Sequence, residues 1–171
     1  MMHFKNLETD RLILRKVIED DSDLIYHLDS DPKVLKHIGL VKTMEESKDR
    51  VRRSIAQYND GTGLGRWMAL EKESQRSFGW FILCPLEDSG YIEIGYRLKE
   101  EFWGHGYATE GSNAILKYGF EILGLKEIVG ITSNENISSQ NVLTKIGLQY
   151  KREDTYYGHQ VRFYSLLNKA K

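Results

Sequence analysis

The sequence predicts an α/β protein in which a mixed, mostly antiparallel sheet of six or seven strands is flanked by about four helices. The first observation is a change of period: residues 91–98 alternate as in a strand, and apolar residues after Tyr107 recur at helical spacing. The second is the pair Gly104 and Gly106, which separates the two patterns and predicts a tight turn. The third is chain order, since only the strand–helix–strand unit over 91–132 demands parallel pairing.

The elements before this unit follow from capping residues and from alternation. A first strand is predicted over 11–17, and three helices with capping signals follow it: 20–28, Asp31–Pro32 to His37, and the Thr43–Glu46 capping box to about Tyr58. Two apolar runs, 67–70 and 78–83, are joined through the polar residues 72–76 and predict a hairpin, and a turn over 88–90 then leads into the central strand.

After the central turn, glycines mark the ends of helices. Gly124 and Gly147 predict the ends of a helix from Tyr107 and of a helix over 138–146. Strands are predicted over 127–132, 148–154 and 161–167. A helix that starts at a glycine turn after a strand places a ligand beyond the carboxyl end of that strand.

Length and composition indicate one domain over 1–171 and argue against several classes of function. The chain has 171 residues, is 40% hydrophobic and 29% charged, and has a net charge of −1, which offers no broad attraction for nucleic acid or an anionic membrane. The single cysteine, Cys84, excludes an internal disulfide and fits a reducing compartment. No apolar run approaches the roughly 20 residues that a membrane span needs, so we expect a cytoplasmic protein.

The glycine turn predicts an anion site. A turn that opens a helix leaves several N–H groups unpaired at the positive end of the helix dipole, and such groups bind phosphate. Two common phosphate motifs fit badly, because Gly106-Tyr107-Ala108 lacks the Lys of a Walker loop and Thr109 replaces the third glycine of a dinucleotide fingerprint. A plain tight turn without a ligand is the structural alternative.

Three segments together resemble one family. Residues 103–108, Trp-Gly-His-Gly-Tyr-Ala, are similar to the acetyl-CoA loop of the GNAT acyltransferases, Gln/Arg-x-x-Gly-x-Gly/Ala, with Trp103 in place of Gln or Arg. Residues 8–15, Glu-Thr-Asp-Arg-Leu-Ile-Leu-Arg, resemble the N-terminal signature of its RimJ/RimL branch, the N-terminal acetyltransferases of ribosomal proteins. Residues 136–148 resemble the second cofactor motif, Asn-x-x-Ser-x-x-Val-Leu-x-Lys-x-Gly-Phe. The resemblance covers essentially the whole chain and implies a single GNAT domain.

The resemblance implies acetyl-CoA as the acetyl donor and assigns residues to it. The pyrophosphate is expected on the turn and helix start, and the pantetheine arm along the central strand. The residues expected at the cofactor are Tyr96, Arg97, Leu98, Trp103, Gly104, His105, Gly106, Tyr107, Ala108, Thr109, Asn136, Ser139 and Asn141. Asn136 also fits a helix cap, Asn141 also fits an exposed helix position, and we expect Trp103 to pack beneath the turn.

Two residues are candidates for proton transfer. Glu93 shares a strand face with Gly95, whose missing side chain leaves an open notch, and is the candidate base; a surface glutamate is the alternative. Ser139 is the candidate donor to the leaving thiolate, since Leu143 occupies the place where many family members have an acidic tyrosine; the alternative is a helix-start serine bonded to the backbone.

Other residues receive structural interpretations. Cys84 is expected to be a small buried residue, the side chain of His105 to be solvated, and the five histidines to bind no metal because their spacing fits no ligand motif. Tyr156 and Tyr157 fit either a core or an acceptor pocket. The loop 39–44, the helix over 50–58 and the C-terminal hairpin are expected to shape that pocket.

The resulting prediction is an N-acetyltransferase that acts on a primary amine by direct attack, without a covalent intermediate. The expected partners are acetyl-CoA and the amine, most readily a protein N-terminal α-amine, with no nucleic acid or membrane and with a homodimer left open. A polyamine or antibiotic acetyltransferase and a non-catalytic acyl-CoA-binding module are the alternatives, and a nucleotide-binding regulator is disfavoured by the missing Lys.

Overall fold

In the residues that the computed structural model describes, 3–37, 39 and 41–169, eight strands form one sheet and five α-helices lie against it. The strands are β1 (Leu7–Glu8), β2 (Leu12–Lys16), β3 (Gly65–Glu71), β4 (Ser77–Pro85), β5 (Ile92–Leu98), β6 (Glu127–Thr132), β7 (Gln149–Tyr156) and β8 (His159–Leu167). The helices are α1 (Ser22–Ser30), α2 (Pro32–Leu35), α3 (Met44–Gln57), α4 (Tyr107–Lys117) and α5 (Ile137–Lys145).

The sheet has the order β1-β2-β3-β4-β5-β6-β8-β7, and every neighbouring pair is antiparallel except β5 and β6. The predicted fold class, an α/β protein with one parallel strand–helix–strand unit, is therefore confirmed. The sheet has one strand more than predicted, because β1 contains only two residues and is too short to show a period.

The caps predicted before α2 and α3 are present. The Asp31 side chain accepts a hydrogen bond from the amide of Lys33, and Thr43 and Glu46 bond each other's backbone reciprocally. The prediction that the helix from Tyr107 continues to Gly124 is wrong in detail. The α-helix ends at Lys117 and is followed by a π-helical turn over Tyr118–Ile122.

One face of the sheet carries α4. A Cβ atom added at Gly111 would lie 2.2 Å from the ring of Phe81 on β4, so only glycine lets the helix approach this closely. Tyr96, the register partner of Phe81, lies on this same face. We call it the α4 face.

The opposite face, which we call the Glu93 face, is covered in part by α1 and by the β7–β8 hairpin. Asp29 of α1 contacts Arg97, which shares this face with Glu93. A second, small core of Leu86, Val129 and Phe163 lies under the hairpin, with Tyr156 stacked on Phe163. The hairpin tip is thereby held beside β5.

Leu40 of the predicted pocket loop 39–44 lies outside the described residues. Within the described part of the chain, no helix has the length and apolar character needed to cross a bilayer.

Candidate active site

The strands β5 and β6 separate soon after they meet. Their pairing consists of one register pair in the described residues, Glu93 with Val129, whereas β5 pairs with β4 from Ile92 to Leu98. Over 94–98 the edge of β5 that faces β6 therefore has no strand partner. Backbone groups on such an edge can bind an extended ligand as an additional strand.

Consecutive amide groups at the start of α4 are free of protein acceptors. Among the described residues, none of the N–H groups from Gly104 to Thr109 makes a hydrogen bond, and the first helical bond runs from Glu110 to the carbonyl of Gly106. Gly106 is the N-cap and has a φ of +81°, which glycine adopts without steric cost. These amides and the helix dipole form an anion site. We call residues 103–109 the amide loop.

Residues just before β2 fasten the amide loop. The Arg11 guanidinium donates to Glu110 at 2.6 Å and to the carbonyl of His105 at 2.9 Å. The Thr9 hydroxyl donates to the same carboxylate at 2.5 Å, and the Arg11 guanidinium lies 4.4 Å from the centre of the Tyr107 ring. Two of the three resembling segments are therefore in direct contact. Sequence analysis gave Arg11 no role, because a partner 99 positions away leaves no local pattern.

Trp103 does not pack beneath the turn, and that expectation is wrong. Its side chain is 45% exposed, and its indole N–H donates to the carbonyl of Leu98 at 2.9 Å. The buried aromatic residues here are Phe102 and Tyr107, and Phe102 stacks on Phe78 with ring centres 4.7 Å apart. The His105 ring is exposed and stacks on Tyr107.

The start of α5 faces the opening beside β5. The side chain of Asn136 accepts a hydrogen bond from the amide of Ser139 at 3.1 Å, so Asn136 is the helix cap. The side chain of Ser139 lies near the hydroxyl of Tyr96 and lowers the pKa of that hydroxyl. Asn141 is exposed on the helix. The predicted contacts of Asn136 and Asn141 with a cofactor stay predictions.

The Tyr96–Ser139 pair is a feature that sequence analysis missed, because only the strand backbone at Tyr96 was considered. Burial raises the pKa of Tyr96, and the nearby side chain of Ser139 partly offsets this shift. Leu143, at the position of the absent tyrosine, is buried. It packs over Gly130, where an added Cβ would lie 2.6 Å from the leucine side chain.

Glu93 is buried where β5 and β6 begin to separate. It is 7% exposed, and its Oε1 accepts a hydrogen bond from the hydroxyl of Tyr157 at 2.5 Å. Burial raises the pKa of Glu93, and hydrogen bonds from Tyr157 and Cys84 act in the opposite direction. The alternative of a surface glutamate is therefore wrong. The notch beside Gly95 is narrower than expected, since an added Cβ would lie 3.1 Å from Ile82.

Tyr157 and Cys84 both contact Glu93; the notable feature of Tyr157 is its backbone conformation, and that of Cys84 is the pKa of its thiol. Tyr157 lies at the hairpin tip with a φ of +52°, an unfavourable value for a side chain of this size. Backbone strain beside a buried carboxylate is typical of functional sites. The Cys84 Sγ lies 3.7 Å from Glu93 Oε1, and burial with the nearby carboxylate raises the pKa of the thiol to about 12. A raised pKa disfavours the thiolate, which is the nucleophilic form of cysteine.

Charged residues occupy the Glu93 face beyond Gly95. The fully buried Asp29 forms ion pairs with Arg97 and, at 3.2 Å, with Arg50. The guanidinium of Arg66 lies 4.0 Å from the centre of the Trp80 ring. Burial, together with Arg50, lowers the pKa of Arg66 to about 9. We call Arg50, Arg66 and Arg97 the arginine cluster.

The candidate groups for proton transfer lie on opposite faces of β5. Glu93 is on the Glu93 face, and Tyr96 with Ser139 is on the α4 face, because their positions differ by an odd number of residues. The unpaired edge of β5 runs between them. A group held along this edge would have a base on one side and a hydroxyl pair on the other.

This arrangement fits a CoA thioester. The free amides match a pyrophosphate, and the unpaired strand edge matches the amide-containing pantetheine arm. No group of three His, Cys, Asp or Glu side chains is close enough to bind a metal ion in the described residues.

Comparison with known proteins gives the same assignment. The family model described as "Acetyltransferase (GNAT) domain" matches residues 11–149. The uncharacterised N-acetyltransferase YoaA of Bacillus subtilis (strain 168) is 31% identical over 149 residues, which cover 85% of this chain and 84% of the relative.

Two further proteins are similar to this chain, one by sequence and one by structure. The FsC-acetyl coenzyme A-N(2)-transacetylase of Aspergillus fumigatus is 30% identical over 155 residues, covering 84% of this chain and 65% of that protein. The solved structure of RimL, a ribosomal L7/L12 alpha-N-protein acetyltransferase in complex with coenzyme A, superimposes with a TM-score of 0.81 at 18% identity. It covers 98% of this chain and 100% of that chain, and the likeness concerns the fold.

Proposed function

The chain belongs to the GNAT acetyltransferase family, and we propose that it transfers the acetyl group of acetyl-CoA to a primary amine, in the first place an α-amine at a protein N-terminus. One observation carries the proposal. Glu93 is a buried carboxylate with a raised pKa, held by Tyr157 at the point where β5 loses its partner β6. A carboxylate with these properties is suited to accept a proton from an incoming amine.

The acetyl donor would be held mainly by backbone groups. The amides of Gly104 to Thr109 would bind the pyrophosphate, and the unpaired edge over 94–98 would bind the pantetheine arm. Acetyl-CoA supplies an activated acyl group whose thiol is a good leaving group. Backbone donors fixed by a helix start and a strand require no rearrangement when charge develops on the ligand, which favours catalysis.

The residues of the chain would handle the protons. As the amine nitrogen bonds to the acetyl carbon and the carbon–sulfur bond breaks, the amine loses one proton and the sulfur gains one. Glu93 lies on the side from which the amine would approach and would take its proton directly or through water. Ser139 lies near Tyr96 on the other side and would donate a proton to the thiolate, and Tyr96 would then return a proton to Ser139.

The choice of an α-amine follows from acidity. An α-amine has a pKa of about 8, so roughly a tenth of it is already neutral at pH 7, whereas a lysine amine with a pKa of about 10.4 needs a stronger base. A single carboxylate matches the first demand better. The shared fold of RimL, an alpha-N-protein acetyltransferase, also supports this choice.

A small amine is the second candidate, because a 30% identical relative is named as an N(2)-transacetylase. The non-catalytic acyl-CoA-binding module gains support from the missing tyrosine at Leu143 but is disfavoured by the Tyr96–Ser139 pair, which supplies a hydroxyl at the cleft.

Release of free thiol from acetyl-CoA tests the proposal. The amine panel contains peptides with a free α-amine, the same peptides with a blocked α-amine and one free lysine, and a polyamine. We expect turnover to be fastest with free α-amines. Saturable CoA binding without thiol release from any amine would instead indicate the binding module.

Variants separate the roles of the residues. Glu93→Gln should lower kcat/KM by about 10²- to 10⁴-fold, the usual contribution of a general base, without changing the KM for acetyl-CoA. Glu153→Gln, at an exposed strand carboxylate, is the matched control. Ser139→Ala should have a smaller effect on kcat, since Tyr96 can substitute. Unchanged turnover in both site variants would refute these roles and leave the family assignment intact.

A further inference from the structure

The arginine cluster lies on the same face as Glu93 and at a defined distance from it. The strand register places Arg66, Ile82 and Gly95 in one row across β3, β4 and β5. Trp80 and Arg97 occupy the next row, and Cys84 and Glu93 occupy the preceding one. Glu93 and Arg66 are therefore two strands and two residues apart, about 10 Å across the sheet and about 7 Å along it at the backbone.

Positive charge in this cluster exceeds negative charge. Among the described residues, Asp29 is the one carboxylate in ion-pair contact with the cluster, and it already serves both Arg97 and Arg50. Arg66 has no ion pair with any described carboxylate. The desolvated guanidinium is held over the Trp80 ring instead, and a buried unbalanced charge of this kind is unfavourable unless a partner arrives.

Several hydrogen-bond donors of the cluster are buried and unused. The Nε and Nη1 atoms of Arg66, the Nε atom of Arg97 and the Nε1 atom of Trp80 are shielded from solvent and have no acceptor in the described residues. Buried donors without acceptors are rare in folded proteins and call for a specific explanation. The third guanidinium nitrogen of Arg66, Nη2, is not among these shielded atoms and also has no acceptor in the described residues. Arg66 as a whole is only partly buried, so a ligand can reach the guanidinium from this nitrogen.

The guanidinium of Arg66 is planar, and none of its nitrogens has an acceptor in the described residues. An edge formed by Nη2 and a neighbouring nitrogen matches an anion with two oxygens, such as a carboxylate or a phosphate. We propose that the amine acceptor carries such an anionic group, which Arg66 binds while the amine lies at Glu93. This inference rests on the proposed function and names the substrate class of the same site. The anionic group can belong to a small amino acid or to an acidic side chain near a protein N-terminus.

The separation of Arg66 and Glu93 also predicts the shape of the acceptor. Two strands and two residues along the strand separate them, so the amine and the anion should be several bonds apart. An α-amino acid, in which two bonds join the amine nitrogen to the carboxyl carbon, is too short. A longer ω-amino acid or a peptide with an acidic second or third residue can span the two groups.

Matched acceptors test this inference. One arm uses ω-amino acids of increasing chain length, each compared with its carboxamide, and the other uses peptides with Glu or Gln at the second and third positions. We expect kcat/KM to be at least tenfold higher for the acid than for its amide, with most of the difference in KM. The arm with the larger ratio identifies the source of the anion.

Arg66 variants link the preference to this residue. Arg66→Gln should reduce the acid-to-amide ratio to about one and leave kcat/KM for the amides within about threefold. Arg66→Lys should retain part of the ratio, since it keeps the charge and loses the planar fork. Arg53→Gln removes the same charge from an exposed position on α3 and should leave the ratio unchanged.

A binding measurement does not depend on turnover. Calorimetric titration with 5-acetamidopentanoate and its amide, in the presence of CoA, should show binding of the acid alone, lost in Arg66→Gln and in Arg66→Met. Arg66→Met should also unfold at a temperature equal to or above that of the unmodified protein, because it removes a cation without a carboxylate partner.

The outcomes separate the two proposals. Equal acetylation of acids and amides, with no effect of Arg66→Gln, would overturn this inference and leave the proposed function standing. Acid binding that depends on Arg66, without acetylation of any amine, would support the anion site and overturn the transfer activity. Absence of both binding and turnover would overturn both.

Discussion

The amide loop and the Glu93 face are built in opposite ways. The amide loop consists of seven consecutive residues, 103–109, and offers backbone N–H groups whose direction follows from a turn and a helix start. The Glu93 face offers side chains from distant segments: Asp29 and Arg97 lie 68 positions apart, and Glu93 and Tyr157 lie 64 apart. A local backbone motif is readable from sequence, and an assembly of distant side chains is not.

The difference also concerns tolerance to substitution. Changes in side chains of the amide loop leave its N–H groups in place provided that the backbone keeps its conformation. On the Glu93 face, Asp29 is the partner of both Arg97 and Arg50, so its loss leaves these arginines unpaired in a desolvated environment. Three substitutions test this contrast.

Asp29→Asn should have the largest effect, and that effect should be on stability. Asp29 is fully buried between Arg97 and Arg50, and removal of one partner of a buried ion pair typically costs about 3 kcal/mol or more in the free energy of unfolding. Urea denaturation measures this change. Asp154→Asn, in a partly exposed pair with Arg152, should cost less than about 1 kcal/mol. Equal losses of unfolding free energy in the two variants would show that the ion pairs of Asp29 stabilise the fold no more than a partly exposed pair does.

Gly106→Val should come next, and its effect should be on cofactor binding. A side chain at a φ of +81° costs roughly 1–2 kcal/mol, and release of this strain would turn the amides away from a common point. The Kd for acetyl-CoA should rise by about tenfold to thirtyfold, and the KM for the amine should not change. Gly90→Val is the matched control, since Gly90 has the same φ in an exposed loop with open space around it.

Tyr157→Phe should have the smallest effect, visible in the pH dependence. The hydrogen bond from Tyr157 stabilises ionised Glu93 and so lowers the pKa of Glu93. Loss of the hydroxyl should raise that pKa, and the acidic limb of the kcat/KM profile should move to higher pH. The base acts when ionised, so activity at low pH should fall. Tyr150→Phe, at an exposed tyrosine of the same hairpin, should leave the profile unchanged.

Sequence patterns predicted most of the fold because its signals are local. The alternation over 91–98, the glycines at 104 and 106, and the caps at Asp31 and Thr43 each depend on neighbouring residues. The errors occurred where local signals are weak. The strand β1 is too short to show alternation, and the π-helical turn after Lys117 keeps an apolar spacing close to that of an α-helix.

The part of the candidate site that consists of backbone groups was predictable from the sequence, and the part that consists of distant side chains was not. Tyr157 was recognised only as one of two adjacent tyrosines, because sequence does not reveal that Tyr156 packs on Phe163 while Tyr157 turns towards Glu93. Arg66 was not singled out at all. In a single sequence, a strand arginine with buried and unused donors looks the same as a solvated one, since only the register across three strands distinguishes them.

Arg11 holds Glu110 and the carbonyl of His105 from a position almost a hundred residues earlier in the chain. A fragment without Arg11 would therefore lack the contacts that fix the amide loop. With acetyl-CoA bound at this loop as proposed, the ligand would favour the folded chain over the unfolded one and, by mass action, would shift the folding equilibrium towards it.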